Sequence, residues 1–192
     1  MQRIFSWAEE QRDERGKLFL LYRHERIFEE GLVKPGIRAL DVGGWGMLAK
    51  RIIEEGASCT ILDIFGPDQY FPERVMALPH VRGSILDKEL LPSLGSFDLI
   101  TCFEVLEHLQ EKELALQNIY RLLRPQGIFA GTVPIPGFSH EAGDPNTFFI
   151  NREDLSTLLL RTGFQNLLVE PTPSILKGSH NSCLYFKAYR NL

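Results

Sequence analysis

The stretch Ile37 to Ile64, IRALDVGGWGMLAKRIIEEGASCTILDI, constrains the fold more than any other part of the chain. An apolar run (Ile37, Ala39, Leu40, Val42) ends in the turn Gly43-Gly44-Trp45-Gly46. A helical pattern follows from Met47 to Glu55, and a second apolar run, Cys59 to Leu62, ends in Asp63. Buried strand, tight turn, helix and buried strand make a βαβ unit. Glycines let the backbone turn sharply and lie close to a ligand, because they carry no Cβ.

In such a unit ligands bind outside the carboxyl ends of the strands, and an acid at the end of the second strand is placed to hold a ribose diol. Asp63 has that position, and its other reading is an exposed cap of the following turn. Asp41, two residues before the first glycine, narrows the ligand further. A carboxylate there suits a ligand carrying cations and disfavours a pyrophosphate, which would meet like charge beside the helix N-terminus that normally receives it.

ALDVGGWG, with LDI at the second strand end, resembles the first motif and the ribose acid of class I S-adenosylmethionine-dependent methyltransferases. Three later segments are similar to that family in order and spacing. These are SFDLITCFEVLEHL (96–109), LLRPQGIFAGTVP (122–134) and LSTLLLRTGFQNL (155–167). The closest flavour is the small-molecule branch typified by ubiquinone-biosynthesis O-methyltransferases. One departure stands out. The family's D-x-G-x-G-x-G is here D-x-G-G-x-G, one residue shorter, with bulky Trp45 inside it. Either the shortened loop reshapes the cofactor site, or the backbone rearranges locally and Trp45 points to solvent or onto the N-terminal helix.

The resemblance implies an α/β, Rossmann-like, doubly wound sheet of seven strands. It would be mostly parallel with an antiparallel C-terminal strand, and helices would cover both faces. It also implies one domain over 1–192, with 1–36 a helical lid and 37–192 the core. S-adenosyl-L-methionine is the implied cofactor, and Asp41, Gly43, Gly44, Gly46, Asp63, Ile64, Ser84, Ile85, Phe103, Glu104 and Arg23 its implied contacts. Ser84 stands where the family commonly has an acid. Asp87, three residues on, either substitutes for that acid or caps the Lys88–Leu91 turn. Tyr22 and Arg23 either meet the methionine carboxylate or lie on a solvated helix face.

Glu104, Glu107 and His108 form an ExxEH cluster, which a helix would place on one face. Two readings are open. In one, Glu104 closes the cofactor cleft while Glu107 fixes the turn and His108 either orients that turn or acts as base. In the other, the three hold a divalent metal, as in some methyltransferases of this fold. His140 and Glu141 supply a base near the substrate or an extra metal ligand, or are simply an exposed loop pair. Phe138, Phe148 and Phe149 either line an acceptor pocket or anchor their loop. His108 and His140 are the candidate catalytic residues, and no metal is assigned.

The remaining elements follow from periodicity. Residues 3–31 read as a helix stopped by Gly31 and Pro35, and Val81–Ile85 as a short third strand. Gln110–Leu123 reads as an amphipathic helix with Leu114, Leu116, Ile119, Leu122 and Leu123 inward. The 127–133 run reads as a strand, and Asn166–Glu170 with Cys183–Tyr189 as an antiparallel pair. Pro67 and Pro72 leave room only for a short helix after Asp63.

Composition excludes several classes. A net charge of −4 with Lys and Arg spread out gives no basic stripe, so nucleic acid is not an expected partner. No run approaches the roughly 18 apolar residues of a membrane span, and the charged N-terminus has no signal-like apolar stretch. Of three widely spaced cysteines (Cys59, Cys102, Cys183), Cys59 and Cys102 fall inside apolar strand patterns and read as buried thiols of a reducing compartment, so a cytoplasmic location is expected. The expected activity is methyl transfer to a small-molecule acceptor by a monomer or homodimer. The rivals are a non-catalytic methyltransferase-like subunit and a dinucleotide-dependent dehydrogenase.

Overall fold

The computed structural model describes residues 24–66, 78–135, 150–172 and 183–192. A helical segment, 24–29, leads into β1 (Arg38–Val42), α1 (Met47–Glu54) and β2 (Ser58–Asp63). Then come β3 (His80–Arg82), α2 (Leu91–Leu94), β4 (Phe97–Phe103), a 3₁₀ turn (Leu106–His108) and α3 (Lys112–Leu122). β5 (Leu123–Pro134), α4 (Arg152–Thr162), β6 (Gln165–Pro171) and β7 (Cys183–Tyr189) complete the order.

The seven strands form one sheet in the order β3-β2-β1-β4-β5-β7-β6. Strands β1 to β5 are parallel to their neighbours, and β7 runs antiparallel to both β5 and β6. The doubly wound sheet expected from the sequence is therefore the one observed. The strand order reverses between parallel β1 and β4, so the crevice that such sheets use for ligands opens at their carboxyl ends.

Alternation along the strands divides the core in two. Ala39, Cys59, Ile61, Leu99, Ala130 and Tyr185 face α1 and the 24–29 segment, with Ile27, Leu48, Ala49 and Ile52 packed on them. Leu40, Val42, Leu62, Ile100, Phe129 and Phe186 face the opposite side, where Leu94, Leu116, Ile119, Leu155 and Leu159 cover them. Burial on both faces is why β1, β2 and β4 read as near-continuous apolar runs. No described helix is long and apolar enough to cross a membrane.

Several boundaries differ from the sequence reading. The third strand is His80–Arg82, ending before Ser84. Ser84 starts a turn instead, its carbonyl accepting from Asp87 N–H at 3.0 Å and its hydroxyl from Leu86 N–H at 3.1 Å. β5 begins at Leu123, directly after α3, because the Arg-Pro-Gln-Gly turn is a bulge inside the strand. Gln126 takes φ 64° there, and its N–H donates to Arg190 O at 3.1 Å. On α3 the buried set is Ala115, Leu116, Asn118, Ile119 and Leu122, with Leu114 only half-buried. The expected helix 3–31 has its described end at residue 29, followed by Gly31 at φ 65°. The Pro67–Pro72 segment lies outside the described residues.

Candidate cofactor site at the carboxyl edge of the sheet

β1 ends in the glycine loop, and two of its glycines are required by close approach. A Cβ on Gly43, which has φ 70°, would sit 2.3 Å from Val105 Cγ2 in the turn after β4. A Cβ on Gly44 would sit 2.0 Å from Asp41 Oδ2. The loop thus lies directly on the Asp41 carboxylate and against the neighbouring turn. Gly46, at φ 85°, is the N-cap of α1 and supplies no side-chain bond. The first turn of α1 carries no acidic residue either.

Asp41 is buried, 2% exposed, in the middle of the sheet. Thr101 Oγ1 on β4 donates to its Oδ1 at 2.8 Å. Oδ2, the oxygen beneath Gly44, has no hydrogen-bond partner. Burial pushes the Asp41 carboxyl up to about 7, the Thr101 hydroxyl pulls it down, and the negative charge of Asp63 adds to the rise. Asp63 is also buried, at 6% exposed, which corrects its reading as an exposed cap. Its Oδ1 accepts from Phe65 N–H at 2.7 Å, so it does brace its own turn. Burial raises its carboxyl, partly opposed by that hydrogen bond and by His80.

Around this pair the other sequence-derived positions fall as follows. Ile64 lies just past β2 and is 57% exposed, an unusual exposure for a large apolar side chain among the described residues. Ser84 is committed to its turn, and Ile85 is in the core. Asp87 Oδ1 accepts from Glu89 and Leu90 N–H at 3.0 and 3.1 Å, the capping alternative of the two left open. Phe103, at the end of β4, is half-buried and meets His24 edge to face at 4.7 Å.

The ExxEH segment is not a helix face. Glu104 takes φ 57°, a left-handed conformation uncommon outside glycine, and its N–H donates to Thr132 O at 3.0 Å. That kink sends its side chain toward β5 and β7. Thr132 Oγ1 donates to Glu104 Oε1 at 2.7 Å, and the Cys183 thiol donates to Oε2 at 3.6 Å. Glu107, in the 3₁₀ turn, is buried, while the His108 side chain is 39% exposed, its Nε2 3.9 Å from Glu107 Oε1. The helix that would have put residues 104, 107 and 108 on one face is therefore not formed. Among the described residues no three His, Cys, Asp or Glu side chains gather as a metal site. Arg23, Tyr22, His140, Glu141, Phe138, Phe148 and Phe149 lie outside the described residues.

Sequence reasoning missed Thr101, Thr132 and Asn118. The last reaches from α3 to donate to Ile85 O at 2.8 Å, tying down the turn after β3. All three are uncharged polar residues, two inside apolar strands and one on an amphipathic helix, where side-chain periodicity carries no signal for a buried hydrogen bond.

The sheet order defines a doubly wound α/β domain, and comparison narrows the class. A family model for the methyltransferase domain matches residues 11–169, and the chain belongs to that family. It is 27% identical over 159 residues to a ubiquinone biosynthesis O-methyltransferase of Escherichia coli O9:H4 (strain HS), covering 79% of this chain and 57% of that protein. The chain spans about half the length of the curated relatives it matches. Among solved structures, a SAM-dependent methyltransferase from Archaeoglobus fulgidus superposes with TM-score 0.74 at 18% identity, covering 97% of this chain and 99% of that one. A Burkholderia thailandensis 1,6-didemethyltoxoflavin-N1-methyltransferase, solved with its substrate and S-adenosylhomocysteine, gives TM-score 0.72 at 19% identity over 99% and 86%.

Proposed function

We propose that the chain binds S-adenosyl-L-methionine and transfers its methyl group to a small-molecule acceptor. The observation that carries the reading is the Asp41 carboxylate, buried under the glycine loop with Oδ2 unpartnered. A buried anion in that state calls for a cation. The α1 N-terminus beside it has neither an acidic first turn nor a side-chain cap, which suits a carboxylate. An ammonium and a carboxylate side by side are the two ends of an amino acid. A pyrophosphate would place two negative charges over Asp41, which argues against the dehydrogenase alternative.

In this reading Asp41 and the Gly43–Gly46 loop hold the amino-acid end, Asp63 the ribose hydroxyls, and exposed Ile64 flanks the base. Glu104, held by Thr132, walls the cleft beyond Phe103. The sulfonium supplies an already activated methyl group, so the chain's own work is to align the acceptor and exclude water. His108, partly exposed at the same sheet edge, takes a proton where the acceptor is a hydroxyl or ammonium. The relatives' acceptors differ, one name giving an O-methyltransferase and another an N-methyltransferase, so the acceptor atom stays open. Three buried thiols outside any disulfide fit a reducing, cytoplasmic setting.

The second reading is a methyltransferase-like subunit without turnover, favoured by the glycine loop one residue short. Thermal denaturation with S-adenosylmethionine, S-adenosylhomocysteine and NAD tests the main reading. Both adenosyl ligands should raise the melting temperature, by the equivalent of about 2.7 kcal/mol at a hundred times Kd, and NAD should not. Stabilisation by NAD alone would overturn it.

A further inference from the structure

We infer that Thr101 is a positioning residue for the cofactor's amino group, its hydroxyl fixing the Asp41 carboxylate beneath the glycine loop so that its other oxygen faces a cationic ligand. The inference rests on the proposed S-adenosylmethionine site. Thr101 stands opposite Asp41 in the parallel β1–β4 register, at the point where the strand order reverses. It is fully buried, so its hydroxyl has no water to serve. Its proton goes to Asp41 Oδ1 at 2.8 Å, with Leu40 O, 3.4 Å away, as the weaker alternative acceptor. A hydroxyl has one proton to give, and the shorter, charge-assisted bond wins while Asp41 is ionised.

That bond decides which way the carboxylate faces. With Oδ1 taken on the β4 side, Oδ2 is left under Gly44, where no Cβ intervenes. The titratable groups acting on or with Asp41 are Asp63 and Cys59 on β2 and Cys102 on β4, all anionic when ionised. Among the described residues no cation of α1, the 24–29 segment or the sheet acts on it. Burial and Asp63 therefore push Asp41 toward its neutral form, and the Thr101 hydroxyl is what opposes them. Without it, a larger fraction of the carboxyl carries a proton at neutral pH and cannot pair with an ammonium.

The test uses Thr101→Val, which keeps the β-branched shape and removes the donor, and Thr101→Ser, which restores it. In the ligand-free protein the Asp41 carboxyl carbon is titrated by NMR. Its midpoint should rise by about one to two pH units in Thr101→Val, since a hydrogen bond to a charge is lost, and return in Thr101→Ser. Calorimetry at pH 7.5 then compares S-adenosylhomocysteine with 5′-methylthioadenosine, which lacks the amino-acid end. Thr101→Val should weaken the first by about tenfold and leave the second within about twofold. Equal weakening of both would mean a merely structural role and overturn the inference. So would an Asp41 midpoint that does not move while both ligands bind. Failure of the wild-type chain to bind either ligand would overturn the proposed function itself, and the inference with it.

Discussion

At the scale of single residues, the site is built on a conflict that the fold does not relieve. Asp41 is buried among apolar strands with one oxygen bonded and the other not. Its carboxyl is raised from an ordinary value near 4 to about 7. A carboxyl whose folded pKa lies above its unfolded one stabilises the fold fully only below the unfolded value. That contribution is lost as pH climbs toward 7. Asp41→Asn keeps an acceptor for Thr101 and removes the charge. At pH 8 it should melt above the wild type, and the gap should shrink by up to about 1.4 kcal/mol per pH unit as pH falls from 7 to 5. The same variant should bind S-adenosylhomocysteine at least tenfold more weakly. Melting curves of the two proteins at pH 5, 6.5 and 8 decide it, and a constant gap would mean that Asp41 does not titrate in this range. Glu104 shows the same pattern in the backbone, since a left-handed φ of 57° in a glutamate is strain kept at the edge of the site.

At the scale of elements, what was legible in the sequence tracked how strongly burial dictates residue type. β1, β2 and β4 are covered on both faces, so their apolar runs had to be continuous and were readable. The β1–α1 turn was readable because its glycines answer steric demands. The ExxEH spacing left two readings open, since only a helix would put the three residues on one face and nothing in the letters reports that Glu104 turns left-handed. β3 and the start of β5 slipped for a related reason: a serine turn and a bulge at Gln126 are local hydrogen-bonding choices, invisible to side-chain periodicity. Gly131 is another feature that periodicity passes over. It sits inside β5 where a Cβ would fall 1.8 Å from Cys102 O and 2.9 Å from the Phe186 ring. A clash with backbone cannot be relieved by a rotamer. Gly131→Ala should therefore pry β5 from β4 and cost about 3 kcal/mol or more in urea unfolding. A loss under about 1 kcal/mol would show that the strands can part without penalty.

At the scale of the whole molecule, the last strand and the first described helix close on each other. Glu30, just past the 24–29 segment, accepts from Lys187 at 2.5 Å and from Tyr185 at 3.4 Å, both on β7, and from Arg26 Nε at 2.7 Å. Arg26 also pairs with Glu170 on β6 and lies 4.1 Å over the Tyr185 ring. Burial works to raise the Glu30 carboxyl, yet the Lys187 and Arg26 hydrogen bonds outweigh it and hold the carboxyl below its ordinary range. The network joins positions more than 150 residues apart and fixes the leading segment over the sheet face that carries Asp41 and Thr101. Removing Glu30 leaves two cations only about one-fifth exposed, with Lys187 deprived of its carboxylate. Glu30→Ala should lower the unfolding free energy by about 2 kcal/mol, less than for a fully buried pair because water reaches part of the cluster. Lys187→Met in the same chain should recover a large part of that loss, since the stranded charge goes with it. Urea titrations of the two single variants and the double variant measure the coupling. Simple additivity would show that Glu30 and Lys187 act independently and that apolar packing around Ile27 alone holds the segment in place.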